Sequence, residues 1–206
     1  MTVITSEQEL RALYAMPNER AVKKQLAHLD RHCISFLGLA RFVVLSTCDA
    51  QGNMDSSPRG GDAGFVKVID EHTLIVPDWA GNNRLDTFSN IMDTGRIGAI
   101  FLVPGIDEAL RVNGTASLRT DEALTSLCAV KGRNPKLVVL VKAKQVYLHC
   151  AKAVMRAGLW SPAVQVERSV LPTMNEMLRE QTMQTTPAES QEAMVARHRT
   201  QLYSTT

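Results

Sequence analysis

The sequence predicts a mainly β (α+β) protein: a six-stranded antiparallel Greek-key split barrel, closed or half-closed, with flanking helices. Three observations predict the barrel. Short β-rich runs recur between Arg41 and Leu148. Most are joined by tight turns rather than by helices long enough for parallel crossovers. One run, Leu110 to Leu118, alternates cleanly between apolar and polar residues, as a strand with one face in a core must.

The elements follow in order. Residues 1–38 read as a helical segment: Leu10, Leu13 and Tyr14 recur at helical spacing, Pro17 interrupts, and Val22, Leu26, Leu29 and Cys33 resume the pattern before Gly38. Residues 39–162 form the barrel domain. Arg41 to Thr47 is a strand, Asp49 to Gly52 a turn, and Asn53 to Pro58 a polar edge strand that Pro58 closes. Gly64 to Ile69 and His72 to Val76 make a hairpin around Asp70-Glu71, and the second run ends at Pro77. A helix from about Asn83 to Asp93 carries Leu85, Phe88, Ile91 and Met92 on one face, takes Asn82 or Asn83 as its N-cap and stops at Gly95. Ile97 to Val103 is apolar on both faces, which predicts a strand covered on both sides. After the Pro104-Gly105 turn, Leu110, Val112, Ala116 and Leu118 face one way, and Arg111, Asn113, Thr115 and Ser117 the other. A short helix, Glu122 to Val130, follows an Asp121 cap. Leu137 to Val141 and Gln145 to Leu148 continue the sheet, and a helix through Ala153, Val154 and Met155 ends at Gly158. Residues 163–206 are more polar and read as a loose helical tail.

Composition narrows the function classes. With 206 residues, 45% hydrophobic and 21% charged, the chain has an ordinary globular balance and room for one core. A net charge of +2 argues against nucleic acid or a membrane surface as partner. No apolar stretch reaches the roughly 18 residues of a membrane span. No basic segment followed by an apolar core opens the sequence, so a cytoplasmic location is expected. Cys33, Cys48, Cys128 and Cys150 form no Cys-x-x-Cys pair and read as buried or idle thiols.

No Gly-x-Ser-x-Gly, Walker or His-Glu-x-x-His motif is present. His28 and His32 share a helix face in this reading but have no third ligand nearby, so no metal site is expected. His149-Cys150 reads as structural. Two polar clusters remain. In Asn82-Asn83-Arg84, the arginine falls in the first helical turn, where the helix dipole disfavours a cation unless an anion binds beside it; a phosphate suits that place. The plainer reading is a surface arginine reaching past the helix end. In Asp55-Ser-Ser-Pro-Arg-Gly-Gly61, glycines 60 and 61 permit close backbone approach and Arg59 can clamp an oxyanion; a Gly-rich surface loop is the plainer reading. The clusters are one hairpin apart, so the two arginines can meet on one phosphate. Arg111 and Asn113 offer donors to the same ligand or to a partner subunit, or simply form a solvated face.

These motifs carry a resemblance. Ser57-Pro-Arg-Gly60, Gly64-Phe-Val-Lys-Val68, Leu74-Ile-Val-Pro-Asp78, Gly81-Asn-Asn-Arg-Leu-Asp86, Phe101-Leu-Val-Pro-Gly105 and Leu110-Arg-Val-Asn-Gly114 stand in the order seen in the pyridoxamine 5′-phosphate oxidase-related flavoproteins, which the chain resembles from about Phe36 to Pro162. The resemblance implies an FMN-binding split β-barrel and an oxidoreductase acting on a small-molecule redox substrate. It implies that Arg59 and Asn83-Arg84, with Ser57, Gly60 and Asn82 around them, hold the FMN phosphate. It also implies a homodimer with the cofactor near the subunit interface, where Arg111, Asn113 and Trp160 come from the second subunit. The oxidases' Arg-x-Val-Leu-Leu-Lys strand is replaced by Arg59-Gly-Gly-Asp62, and no Arg-rich substrate motif occurs in Gln201 to Thr206, so vitamin B6 chemistry is not implied. The alternative on the same fold is a non-catalytic flavin or tetrapyrrole carrier or sensor.

Overall fold

The computed structural model describes residues 3–204; Met1, Thr2, Thr205 and Thr206, at the ends of the expected terminal segments, lie outside the described residues. In chain order the elements are α1 (Glu7–Leu13), α2 (Glu19–Lys23), α3 (Arg31–Leu39), β1 (Phe42–Cys48), β2 (Met54–Gly60), β3 (Lys67–Asp70), β4 (Thr73–Asp78), α4 (Asp86–Thr94), β5 (Arg96–Leu102), β6 (Ala109–Arg119), α5 (Glu122–Thr125), β7 (Leu137–His149), α6 (Lys152–Ala157), α7 (Met174–Gln181) and α8 (Gln191–Gln201). The sheet order is β2-β1-β5-β6-β7-β4-β3, with every pairing antiparallel.

The sheet is strongly curled. β2 and β4 are separated by four strands in that order, yet Arg59 Nε on β2 lies 3.4 Å from Asp78 Oδ1 on β4. Only a sheet bent back on itself brings them together, so this is the expected antiparallel barrel, split where its edges do not hydrogen-bond. It has seven strands rather than six. The runs Leu137 to Val141 and Gln145 to Leu148 are one continuous strand, β7, which carries one extra residue, Lys144: Asn113 of β6 pairs with Gln145, but its neighbour Gly114 pairs with Ala143. There the backbones nearly touch: a Cβ on Gly114 would lie 1.9 Å from the Lys142 carbonyl oxygen. Past that point β4 no longer follows β7, and Leu26 takes its place by exchanging two 2.8 Å backbone hydrogen bonds with Val146.

The barrel interior holds Val43, Leu45, Leu74, Phe101, Leu110 and Val112, all fully buried. α3 closes one end with Leu37 and Cys33, and Asp30 caps it by accepting the amides of His32 and Cys33 at 3.0 and 2.8 Å. α4 lays Phe88 and Ile91 into the core and ends on Gly95 at φ 64°, as expected.

Several expectations are corrected. α1 and α2 bury nothing: Leu10, Leu13, Tyr14 and Val22 are exposed, so the apolar spacing of this segment does not face the core. His28 lies outside α3, so it does not share a helix face with His32. Pro58 does not end β2 and Pro77 does not end β4. Each tolerates its missing N–H because no strand pairs with one side of it. The helix after Asp121 is α5 continued by a 3-10 turn, Ser126–Cys128, so it ends short of Val130, and the Asp121 carboxylate binds Arg119 at 2.8 and 3.0 Å instead of capping it. β5 buries Ile97, Ala99 and Phe101, but on its other face Ile100 is 43% exposed, so this chain alone covers one side only.

Candidate functional site

The polar clusters meet where β2, the end of β4 and the approach to α4 converge. They wall a cleft of about 900 Å³ that includes Ser57, Arg59, Gly60, Asn82, Asn83 and Arg84. That volume falls within the range of roughly 300–1,000 Å³ usual for small-molecule and cofactor sites. Six of the eight expected site residues are therefore neighbours in one cavity.

Arg59 is the better anchored of the two cleft arginines. Its Nη1 donates to Ser57 Oγ at 2.6 Å and to the Pro58 carbonyl at 2.9 Å; Nε faces Asp78, and the guanidinium carbon stands 5.7 Å from the Phe88 ring centre. Burial raises the Asp78 carboxyl pKa above its ordinary value, against the opposing pull of Arg59 and Lys136. A carboxylate held this reluctantly is a replaceable counter-ion, and an incoming phosphate can take over its role toward Arg59.

Arg84 departs from the sequence expectation. The residue preceding α4 is Leu85, in the left-handed region at φ 61°, and neither Asn82 nor Asn83 caps the helix. Asn82 Oδ1 accepts the Arg84 amide at 3.1 Å in a tight turn, and Asn83 is itself left-handed at φ 57°. Arg84 thus stands ahead of the helix, while Asp86 occupies the first turn and pairs with Arg84 Nε at 2.8 Å. The dipole conflict inferred from sequence is relieved locally: the acid takes the favourable place and the arginine projects into solvent, its side chain 73% exposed. Left-handed backbone at Asn83 and again at Leu85 flanks Arg84; asparagine adopts it readily, but at Leu85 it costs about 1–3 kcal/mol, and such strain is typical of ligand-clamping segments.

Gly60 lines the cleft, but Gly61 serves the chain's own packing, since a Cβ there would meet the Phe65 side chain at 2.6 Å. Arg111 and Asn113 are not part of the cleft. Arg59 pairs with Val43, on the row that runs through Phe101 and Leu110 into the core; Arg111 sits one residue over, on the row Val44–Ile100–Arg111–Tyr147. Successive side chains point to opposite sheet faces, so Arg111 cannot share a ligand with Arg59 of the same chain. Asn113 Nδ2 donates to Gln145 at 3.2 Å, and Trp160 Nε1 donates to the Ile106 carbonyl at 2.9 Å.

Sequence reasoning missed Lys136, which lines the cleft and forms no ion pair among the described residues, and Trp79, whose ring meets Tyr203 at 5.2 Å. It also missed Thr87, which donates to Asp55 at 2.6 Å across the cleft floor. Lys136 had a faint signal, a lone cation between Pro135 and an apolar strand. Cys33 and Cys128 are buried, and burial pushes their thiols up to about 12 and about 11, so both stay protonated and unreactive at neutral pH.

Among the described residues, no helix is long and apolar enough to cross a membrane, and no group of three or more His, Cys, Asp or Glu side chains is placed to hold a metal ion. No curated protein matches the chain. Solved structures similar to it include HupZ of Group A Streptococcus, 20% identical over 58% of this chain and 92% of that one, with a TM-score of 0.48. A putative pyridoxamine 5′-phosphate oxidase from Lactobacillus delbrueckii is 23% identical over 60% and 98%, at 0.46. An FMN-binding protein from Syntrophomonas wolfei is 16% identical over 59% and 84%, at 0.44. The family model described as Pyridoxamine 5′-phosphate oxidase matches residues 29–150, more than half of the sequence, and the chain belongs to that family.

Proposed function

We propose that this protein is an FMN-dependent oxidoreductase acting on a small molecule, and that the cleft between β2 and α4 holds the FMN phosphate. The observation that carries the reading is the convergence of Arg59, Arg84 and Lys136 with the Asn82-Asn83 turn in one cavity of cofactor size. Arg59 and Lys136 supply the charge nearest the barrel, Ser57 orients Arg59, and Arg84 closes the outer side once released from Asp86. Bound FMN would supply the redox chemistry, since the protein's part is binding, orientation and electrostatics. The test is direct. Protein purified without added cofactor is denatured, and the supernatant is examined by mass spectrometry and flavin absorbance. The apo-protein is then titrated with FMN and riboflavin; tighter binding of FMN supports the phosphate site, and equal affinities sink it.

The reading extends to a cytoplasmic homodimer with the cofactor near the interface. The outer sheet face carries Phe42, Val44, Pro58, Ile100 and Leu102 in adjacent register positions, with Phe42 39% and Ile100 43% exposed. A contiguous apolar patch on that face favours a second copy as its cover, which would bring Arg111 and Asn113 beside the partner's cofactor. Ile100→Asp should yield monomers with weakened FMN binding; a wild-type monomer that still holds FMN would overturn the shared site. Fractionation of cells that produce the protein tests the location.

One observation favours a second reading, a flavin or tetrapyrrole carrier or sensor. The cleft carboxylates are engaged by neighbours: Asp55 with Thr87, Asp78 with Arg59 and Asp86 with Arg84. Among the described residues no cleft carboxylate is left unengaged for proton transfer, and Lys136 is the one cleft cation without an ion pair. Turnover of an electron donor by the FMN-loaded protein separates the two readings.

A further inference from the structure

Arg111 is set apart from the ion-paired arginines. Arg41, Arg59, Arg84, Arg119 and Arg197 each face a carboxylate. Arg111 has neither an ion pair nor a hydrogen-bond acceptor among the described residues, and its Nε is sealed from solvent without a partner. Its guanidinium carbon lies 4.8 Å from the centre of the Tyr147 ring. Lys24 Nζ approaches the same ring at 5.1 Å, and the His149 ring is 4.8 Å from it.

The fold assembles this group deliberately from three elements. Arg111 and Tyr147 are cross-strand partners on β6 and β7, and His149 lies two residues further along the same face. The bridge between Leu26 and Val146 carries Lys24 over the strand, where its Nζ donates to the Leu148 carbonyl at 2.9 Å. Burial first, and then Arg111 and Lys24, hold His149 below the ordinary imidazole pKa. Two cationic side chains and an imidazole therefore stand around one aromatic ring, and neither cation has an ion pair among the described residues. The π face offsets part of the repulsion. It does not satisfy the sealed Nε, and a buried donor without an acceptor is destabilising. An oxyanion would supply that acceptor and turn the mutual repulsion into shared attraction.

We propose that Lys24, Arg111, Tyr147 and His149 form an oxyanion subsite, separate from the FMN phosphate cleft, that takes the carboxylate or phosphate of a small anionic substrate. Calling that anion a substrate rests on the oxidoreductase reading; its binding does not. Parity supports the separation, since Arg111 and Arg59 occupy opposite faces of the sheet.

The test titrates the full-length protein, with and without FMN, with inorganic phosphate and with benzoate, following the His149 ring signals by NMR. Saturable shifts are expected, with the His149 pKa rising as the anion binds. Arg111→Ala and Lys24→Gln should each weaken the response at least tenfold, and Arg111→Lys, which keeps the charge and controls for misfolding, should retain part of it. The double variant Arg59→Ala/Arg84→Ala, impaired in the cleft, should respond like wild type, so failure of the cofactor reading and failure of this one are distinguishable. Tighter binding of benzoate identifies a carboxylate substrate, and tighter binding of phosphate a phosphorylated one. The proposal is overturned if neither anion saturates, if the response survives Arg111→Ala unchanged, or if bound FMN abolishes it.

Discussion

The cleft beside α4 and the patch around Arg111 are both built on arginines of one sheet, yet they handle charge in opposite ways. In the cleft, Arg59 and Arg84 each keep a carboxylate from a nearby element, Asp78 and Asp86. Around Arg111 no carboxylate among the described residues pairs with a cation, and the cations share an aromatic ring. A balanced site is stable while empty and must exchange partners to bind an anion. An unbalanced site carries its cost in the free protein and recovers it on binding. The difference teaches that exposure alone does not single out an arginine; what sets Arg111 apart is a sealed Nε without a partner.

The most disruptive way to break the comparison is to disturb what keeps the two faces in register. Gly114→Ala forces a Cβ against the Lys142 carbonyl beside the extra residue of β7 and should destabilise the fold by about 3 kcal/mol, the upper end for overpacking. Thermal unfolding checks this, and a Tm within a degree of wild type would contradict the close approach.

Next in size is the cleft itself. Arg59→Ala removes a charge-assisted anchor and should cost about 1.5–3 kcal/mol of FMN affinity while leaving riboflavin nearly unchanged. Arg84→Ala should cost less than Arg59→Ala, because the Arg84 side chain is mostly exposed and already occupied by Asp86. If the order is reversed, Arg84 rather than Arg59 is the principal phosphate ligand.

Asp78→Asn sharpens the comparison from the other side. Freeing Arg59 from its counter-ion should tighten FMN binding by about 1 kcal/mol, the size of one like-charge contact at ~4 Å in water-like surroundings. Because burial raises the Asp78 pKa, lowering the pH through that raised value protonates the wild-type carboxyl. The affinity gap between wild type and Asp78→Asn should then close as pH falls, and calorimetric titration across that range reads it. A gap independent of pH would mean that Asp78 does not compete for Arg59.

The smallest expected effect lies in the unbalanced patch. His149 has a depressed pKa, so folding favours its neutral form. Its contribution to stability is complete above the ordinary imidazole pKa and is lost as pH falls through the depressed one. Arg111→Ala should let the His149 pKa climb without restoring it fully, since burial is the larger cause. NMR titration of the ring protons shows the direction, and an unchanged value would remove Arg111 from the environment of His149.

The amino-acid sequence by itself determined the barrel class, because β-rich runs separated by tight turns leave an antiparallel sheet as the economical way to bury their apolar faces. It determined the alternation of β6 for the same reason, and the stops at Gly95 and Gly158, where left-handed backbone is required. It also brought Arg59 and the Asn82-Asn83-Arg84 segment under one hypothesis. Tertiary structure alone decided the rest. Whether Asn82 caps a helix or a turn depended on Asp86 and on left-handed backbone at Asn83 and at Leu85, the second of which no propensity favours. Whether Arg111 joins Arg59 depended on strand register, which moves every side chain to the other face with a shift of one residue. Lys136 and Asp78 entered the cleft because the curl of the sheet carries β4 and the approach to β7 back toward β2. A sequence pattern records which residues share a face of one strand, but closure of the barrel sets which strands share a site.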